Sequence, residues 1–129
     1  MSIEDAIYAR LSGHAGLTAI IGARHYPVIA PQNPAAPYLV WRRSGTNKIS
    51  LLSTDTDISQ VEYQFECYAT TFEVARSIVN ELRLALQRYT GTVSGTVIMD
   101  ITIENDEDDY DDMENLFYSS FQVTITHRE

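Results

Sequence analysis

Hydrophobic and polar residues alternate strictly through one stretch in the middle of the chain. Between Ser59 and Tyr68, every second residue is apolar or aromatic up to Cys67, and the residues between them are Gln or Glu. A period of two places successive side chains on opposite faces of a strand, so this stretch predicts a strand with one buried face. The residues predicted to lie on that face are Val61, Tyr63, Phe65 and Cys67.

The period then changes to steps of three and four, which predicts a long helix. Apolar residues between Ala75 and Tyr89 fall on one helical stripe, and the arginines lie off that stripe. Thr70 and Glu73 have the spacing of a capping box at the helix start, and Gly91 is expected to end the helix. We therefore predict that this helix and the preceding strand pack their apolar faces together at the centre of the fold.

The residues before this unit predict two short helices and then an irregular crossing. Apolar residues in 3–11 follow a helical period, and this first helix is expected to end near Gly13. A second helical turn is predicted at residues 17–21. Four prolines lie in residues 24–37 and remove backbone donors, so no regular element is expected there.

Three further stretches alternate and predict strands at residues 38–43, 97–104 and 116–127. Residues 45–57 are rich in Ser, Thr, Asn and Asp, which predicts a long loop between the first strand and the central one. The last two strands are expected to form a hairpin with an acidic loop at its tip. In the third strand, one face is predicted to carry Val97, Met99, Ile101 and Ile103.

These elements predict an α+β fold with two layers. We expect a four-stranded, mainly antiparallel sheet, with one long helix and a short N-terminal helix packed on one face, in a single domain spanning residues 1–129. The other face, rich in Gln, Glu and Thr, is left to solvent or to a partner. No apolar run approaches the roughly 20 residues that span a bilayer, and the acidic, amphipathic N-terminus is unlike a signal peptide. No membrane contact is therefore expected.

Negative charge is concentrated in one stretch. The formal net charge is −9, and eight of the 18 acidic residues lie in residues 104–114, which contain no Lys or Arg. We call these residues the acidic segment. Binding to nucleic-acid phosphates requires clustered cations that release counterions. The charge pattern therefore argues against electrostatically driven DNA or RNA binding.

The sequence contains little that predicts catalysis, and we expect a protein that is not an enzyme and has no cofactor. His14, His25 and His127 have no metal-ligand spacing and are predicted to be surface or turn residues. Cys67 is in phase with the buried positions of its strand, which favours a small core residue over a nucleophile. No phosphate-binding glycine loop and no nucleophile motif is present.

The acidic segment fits a calcium loop only in part. A loop of the EF-hand type needs acids at alternate positions, then glycine, then a distal Glu. Asp106 and Asp108 match two of these positions, whereas Tyr110 and the missing glycine break the pattern. We predict no metal site and a solvated, self-repelling loop, with a weak divalent-cation site as the alternative.

Aromatic residues are the other candidates for a functional role, because tyrosine is favoured where a surface meets a partner. Tyr68 and Tyr118 are out of phase with the predicted core faces, and apolar residues interrupt the polar loop at residues 49–52. The alternative is that this loop folds back on its own domain. The predicted subunit or partner interface consists of Ile49, Leu51, Leu52, Tyr68 and Tyr118.

Five motifs occur in an order and spacing that resemble a known family. They are I-Y-A-R-L at residues 7–11, G-A-R-H-Y-P at 22–27, A-P-Q-N-P-A-A-P-Y-L-V-W at 30–41, F-E-C-Y-A-T-T-F-E-V-A-R at 65–76 and L-F-Y-S-S-F-Q-V at 116–123. Together they cover nearly the whole chain. The sequence resembles the tail-completion family of long-tailed bacteriophages and prophages, which is similar to the tail-terminator proteins.

This resemblance implies a structural subunit of the virion, assembled in the host bacterial cytoplasm. It implies a homo-oligomer, expected to be a hexameric ring, at the head-proximal end of the tail tube. There the ring would stop tube polymerisation and contact the tail tube protein and the head–tail connector protein. A head-side connector or head-closure protein and a soluble acidic protein-binding module are the alternatives.

Genome DNA would pass through such a ring without specific binding. Carboxylates that face a channel repel phosphate and discourage DNA from sticking. We therefore expect the acidic loop to line or rim the channel. The residues expected to face it are Asp106, Glu107, Asp108, Asp109, Asp111 and Asp112.

Overall fold

A computed structural model describes residues 3–32, 34–48 and 58–128. Within these residues the chain forms three helices and six strands. In chain order they are α1 (Ile3–Gly13), α2 (Ala15–Ile21), β1 (His25–Pro27), β2 (Tyr38–Lys48), β3 (Ile58–Ala69), α3 (Phe72–Leu86), β4 (Gly91–Val93), β5 (Thr96–Asp111) and β6 (Leu116–Arg128). The α+β class is confirmed. None of the helices described is long and apolar enough to span a membrane.

The strands form one sheet in the order β1-β2-β3-β6-β5-β4. All neighbouring pairs are antiparallel except β1 and β2, which are parallel. The prediction of four strands was wrong: it missed β1 and β4, because each of them is only three residues long. Strands this short lie at sheet edges and carry no measurable alternation. β1 also falls inside the proline-rich stretch that was expected to be irregular, and Pro27 ends it.

The helices cover one face of the sheet, and the main hydrophobic core lies between them. Leu82 and Ile78 of α3, Leu11 of α1 and Leu17 of α2 are all fully buried in it. A row of three stacked rings crosses the sheet side of this core. The Trp41 and Phe65 ring centroids lie 6.2 Å apart, and those of Phe65 and Phe121 lie 5.4 Å apart. The predicted packing of the central strand and helix is confirmed.

Two details of the long helix differ from the prediction. Its N-cap is Thr71, whose hydroxyl accepts a hydrogen bond from the Val74 N–H at 3.3 Å, so the predicted capping box at Thr70 is wrong. The helix ends at Leu86, and Gly91 lies beyond it in β4. Tyr89 lies beyond the helix end but still packs against the core. The apolar pattern of the sequence therefore continues past Leu86.

Strand β2 extends to Lys48, so residues 45–48 of the predicted loop are strand. The β2–β3 register shifts between Arg43 and Gly45, where a bulge interrupts the alternation that sequence reading relies on. The remainder of the predicted loop, residues 49–57, lies outside the described residues.

The acidic segment is mostly strand, not loop. Strand β5 continues to Asp111, and only residues 112–115 form the turn before β6. Two register shifts occur in β5, one between Ile98 and Asp100 and one between Glu104 and Glu107. The first explains why Ile98 is buried whereas Met99, predicted to share a face with Ile101, is exposed. Each bulge reverses the relation between residue number and sheet face.

Candidate functional site

Four tyrosines form a ladder across the sheet face on which none of the described helices packs, which we call the outer face. Tyr38, Tyr68 and Tyr118 are register partners on β2, β3 and β6, and Tyr26 of β1 continues the row. Ring centroids are 6.2 Å apart for Tyr26 and Tyr38, 4.9 Å for Tyr38 and Tyr68, and 5.3 Å for Tyr68 and Tyr118. Stacked and tilted aromatic pairs at these distances stabilise cross-strand contacts.

The chain after β1 forms a short apolar strap (residues 28–32) beside this ladder. Its first turn is held by two backbone hydrogen bonds: the Val28 N–H donates to the Trp41 carbonyl at 2.7 Å, and the Ile29 N–H donates to the Pro27 carbonyl at 2.9 Å. The second bond closes a three-residue turn centred on Val28, whose φ is +72°. This γ-turn is the rare, strained form, and a β-branched residue is costly there.

A groove lies between the strap and the end of the β5–β6 hairpin. Its volume is about 510 Å³. Tyr38, Val40 and Tyr68 line it from the sheet, and Asp111 and Glu114 line it from the hairpin. Part of this surface belongs to a second, smaller apolar cluster on the outer face, in which Tyr38, Val40 and Leu116 are buried. The groove therefore combines an apolar lining with a carboxylate-bearing side.

The electrostatic character of the groove is negative. Arg42 and Glu66 also line it, and they form an ion pair at 3.1 Å, so the carboxylates of Asp111 and Glu114 are in excess. Burial raises the pKa of the Tyr38 hydroxyl, and the nearby charges of Glu114 and Asp111 raise this pKa further. The phenol therefore stays neutral, and the site favours a cationic group over an anionic one.

Arginines of α3 form ion pairs with two of the acids that were predicted to face the channel. The Asp106 carboxylate accepts hydrogen bonds from the Arg76 guanidinium at 2.8 and 3.0 Å and from Arg83 at 3.1 Å. Asp108 accepts from Arg76 at 3.1 Å and from the Ser119 hydroxyl at 2.6 Å. These contacts join the helix layer to the sheet. The predicted picture of a uniformly repelling loop is therefore wrong for both residues.

The remaining acids of the predicted set have a different environment. Asp109 lies on the outer face, where its carboxylate accepts from the Tyr118 hydroxyl at 3.4 Å. Asp111 accepts from the backbone N–H groups of Met113 and Glu114, which fixes the hairpin turn. Glu107 and Asp112 are exposed. The acidic segment thus divides between the helix-covered face and the outer face.

The ion pairs of Asp106 predict how stability depends on pH. Hydrogen bonds from Arg76, and then from Arg83, hold the pKa of the Asp106 carboxyl below its usual range against the opposing effect of partial burial. A carboxyl whose pKa is lower in the folded state stabilises the protein above its unfolded pKa, and this contribution is lost as pH falls through the folded pKa. We expect Asp106→Asn to cost about 0.5–1 kcal/mol at pH 7. In urea unfolding the difference from wild type should shrink below about pH 4, where carboxyls protonate.

Asp112→Asn is the matched control because it makes the same change at an exposed carboxylate in the turn. It should leave the free energy of unfolding within about 0.5 kcal/mol of wild type. A cost for Asp106→Asn that persists unchanged at low pH would contradict the role assigned to the ion pairs.

The histidines and the cysteine do not form a reactive group. His25 and His127 are buried, so the prediction that they are surface or turn residues was wrong. His25 packs against the Tyr8 ring and shares a 3.2 Å hydrogen bond with Ser12, and burial lowers its pKa. Cys67 is a fully buried core residue, as predicted. In the part of the chain that is described, no three His, Cys, Asp or Glu side chains are grouped to hold a metal ion.

The structure brings together only part of the predicted interface. Tyr68 and Tyr118 are neighbours in the tyrosine ladder. Ile49, Leu51 and Leu52 lie outside the described residues. Sequence reasoning missed Tyr26, Tyr38 and the strap, although an apolar V-I-A run between prolines in a stretch expected to be exposed was an available signal.

These features define the protein as an α+β domain whose most distinctive surface is an exposed, negatively charged groove. The sequence profile of the tail completion protein gp17 family matches residues 5–128. The match covers nearly the whole chain, and the protein belongs to this family. Comparison with curated proteins gave no significant match.

The fold is similar to that of a chain in a solved structure, the virion of a native gene transfer agent particle. The TM-score is 0.79 at 13% sequence identity, and the alignment covers 96% of this chain and 92% of that chain. Family membership gives the protein a structural role in tail assembly, as a component of a phage-type virion that contacts other virion proteins. A role of this kind is consistent with a protein that is not an enzyme.

Proposed function

We propose that this protein forms a ring, with six copies as the expected number, at the head-proximal end of the tail tube. The ring ends tube polymerisation and joins the tail to the head–tail connector protein. The observation that carries the proposal is a sheet face on which none of the described helices packs, and on which a groove and exposed carboxylates are accessible. Membership of the tail completion family supports it.

A closed ring of identical subunits needs two different, complementary surfaces on each subunit. The groove on the outer face is one surface of suitable character, because it is concave, partly apolar and charged. The helix layer presents a different surface, with an exposed Leu84 and a partly exposed Arg83. A two-faced subunit of this kind supports head-to-tail association better than a symmetric dimer.

We further propose that the outer-face carboxylates of the acidic segment line or rim the channel through which DNA passes. Glu107 and Asp109 are the best candidates, because the β5–β6 register puts them on the outer face opposite Ser120 and Tyr118. Asp106 and Asp108 contribute little repulsion, since arginines neutralise them. A ring structure with Glu107 and Asp109 on the outer circumference would contradict this assignment.

The mass of the assembled protein tests the ring directly. Light scattering behind size exclusion, at protein concentrations from micromolar to millimolar, is expected to give a closed species of about six times 14.6 kDa. An open, concentration-dependent series of masses would contradict closure, and a monomer throughout would overturn the proposal of a self-assembling ring.

A head-side connector is the competing assignment, because both proteins are ring-forming joints. Pull-down of the assembled protein with purified tail tube protein and, separately, with portal protein distinguishes the two. Retention of the tube protein supports the tail-terminator function. Retention of portal protein alone would move the ring to the head side.

A further inference from the structure

We propose that the groove binds the C-terminal end of α3 from a neighbouring copy of the same chain, with Leu84 entering beside the strap and Arg88 pairing with Glu114. This inference rests on the proposed ring and names the two surfaces that build it. The occupant is a second copy because that chain carries an exposed apolar side chain and an exposed cation, which complement the apolar lining and the carboxylates of the groove.

The groove side shows the features of a surface made for contact. Val28 is 66% exposed and Ile29 is 78% exposed. They are the neighbouring apolar residues of the strap, and a strained γ-turn at Val28 holds them there. A fold gains nothing from strain that presents apolar side chains to water, so this arrangement indicates a binding surface.

The complementary patch lies at the end of α3. Leu84 is 72% exposed, on the side of the helix that faces away from the core. Arg88 follows the helix end, and its side chain is 67% exposed although it pairs with Asp100 at 2.8 Å. Such an exposed ion pair is weak, so the guanidinium remains available to a second carboxylate. Leu84 and Arg88 thus provide the apolar and positive groups that match the strap and Glu114.

The two surfaces cannot meet within one subunit. Arg88 contacts Asp100 near the start of β5, whereas Asp111 borders the groove at the other end of the same strand. At a rise of about 3.3 Å per residue, these positions are roughly 35 Å apart. Leu84 also belongs to the helix layer, while the groove is on the outer face. Contact between them is therefore intermolecular and heterologous, the type of contact that closes a ring.

A charge exchange tests the pairing. Arg88→Glu and Glu114→Arg are each expected to weaken assembly at least tenfold in protein concentration, as measured by light scattering. The double variant should recover the wild-type mass, because the two residues meet only between copies. Glu73→Arg, a charge reversal at an exposed residue at the other end of α3 from Leu84, should leave assembly unchanged. Urea unfolding of each variant checks that the fold is intact.

A second pair of variants, one test and one control, examines the apolar contact. Ile29→Ser is expected to weaken assembly at least tenfold, whereas Met113→Ser, at a more exposed residue of the nearby hairpin turn, should not. If the wild-type protein forms the ring but these substitutions and the single charge reversals leave its mass unchanged, the proposed interface is wrong and the proposed function stands. If the double variant fails to recover, Arg88 and Glu114 do not pair. A wild-type monomer at millimolar concentration overturns both proposals.

Discussion

Replacing Phe65 with alanine is expected to lower the free energy of unfolding by about 3–5 kcal/mol. The side chain is fully buried, and its ring is the middle one of the row formed with Trp41 and Phe121. Its removal leaves a cavity that neighbours on both sides would have to fill. The loss is a large part of the roughly 5–15 kcal/mol that stabilises a typical domain. Urea unfolding followed by circular dichroism measures it.

Phe72→Ala is the control, because the same atoms are removed from a ring that is about half exposed at the start of α3. Its cost should be less than about 1 kcal/mol. Equal costs for the two substitutions would show that the stacked row does not form the centre of the core.

The Cys67 thiol is expected to react with a thiol reagent at least about a thousandfold more slowly in the folded protein than in urea, since reaction requires an opening that costs most of the unfolding free energy. The side chain is fully buried, and burial raises its pKa, which further lowers the thiolate fraction. Absorbance of the released chromophore follows the reaction.

Phe65→Ala supplies an internal control for this measurement, because Phe65 and Cys67 lie on the same face of β3. The destabilised variant should react faster, in proportion to its loss of stability. Rapid reaction of the wild-type protein under native conditions would contradict the core position of Cys67 and reopen the nucleophile hypothesis.

The centre of the fold was predictable because its signals are local. The alternation in β3 and the helical stripe of α3 each extend over ten or more residues, so both element types and their buried faces could be assigned. The same holds for α1, whose buried residues are those that the period indicated. The error at the start of α3 arose because the capping residue is one of two adjacent threonines.

The rest depends on contacts between distant residues. Nothing near Asp106 in sequence indicates that Arg76, thirty positions earlier, would neutralise it. The groove likewise joins a strap after β1 to a hairpin turn at Glu114. The sequence correctly located the acidic segment. It could not show which of its carboxylates lie on each face of the sheet, because that division depends on the bulge between Glu104 and Glu107.

Asn105 lies in the β5 bulge between Glu104 and Glu107, and its backbone conformation sets which of the following side chains lie on each face of the sheet. Asn105 has a φ of +57°, a conformation that Asn tolerates and β-branched residues avoid. The extra residue brings Asp108 under α3 and leaves Glu107 and Asp109 outside. Without it, a strand of identical composition would turn Glu107 and Asp109 toward the arginines and present Asp106 and Asp108 instead. One backbone conformation therefore decides which carboxylates bind the subunit together and which are available to its surroundings.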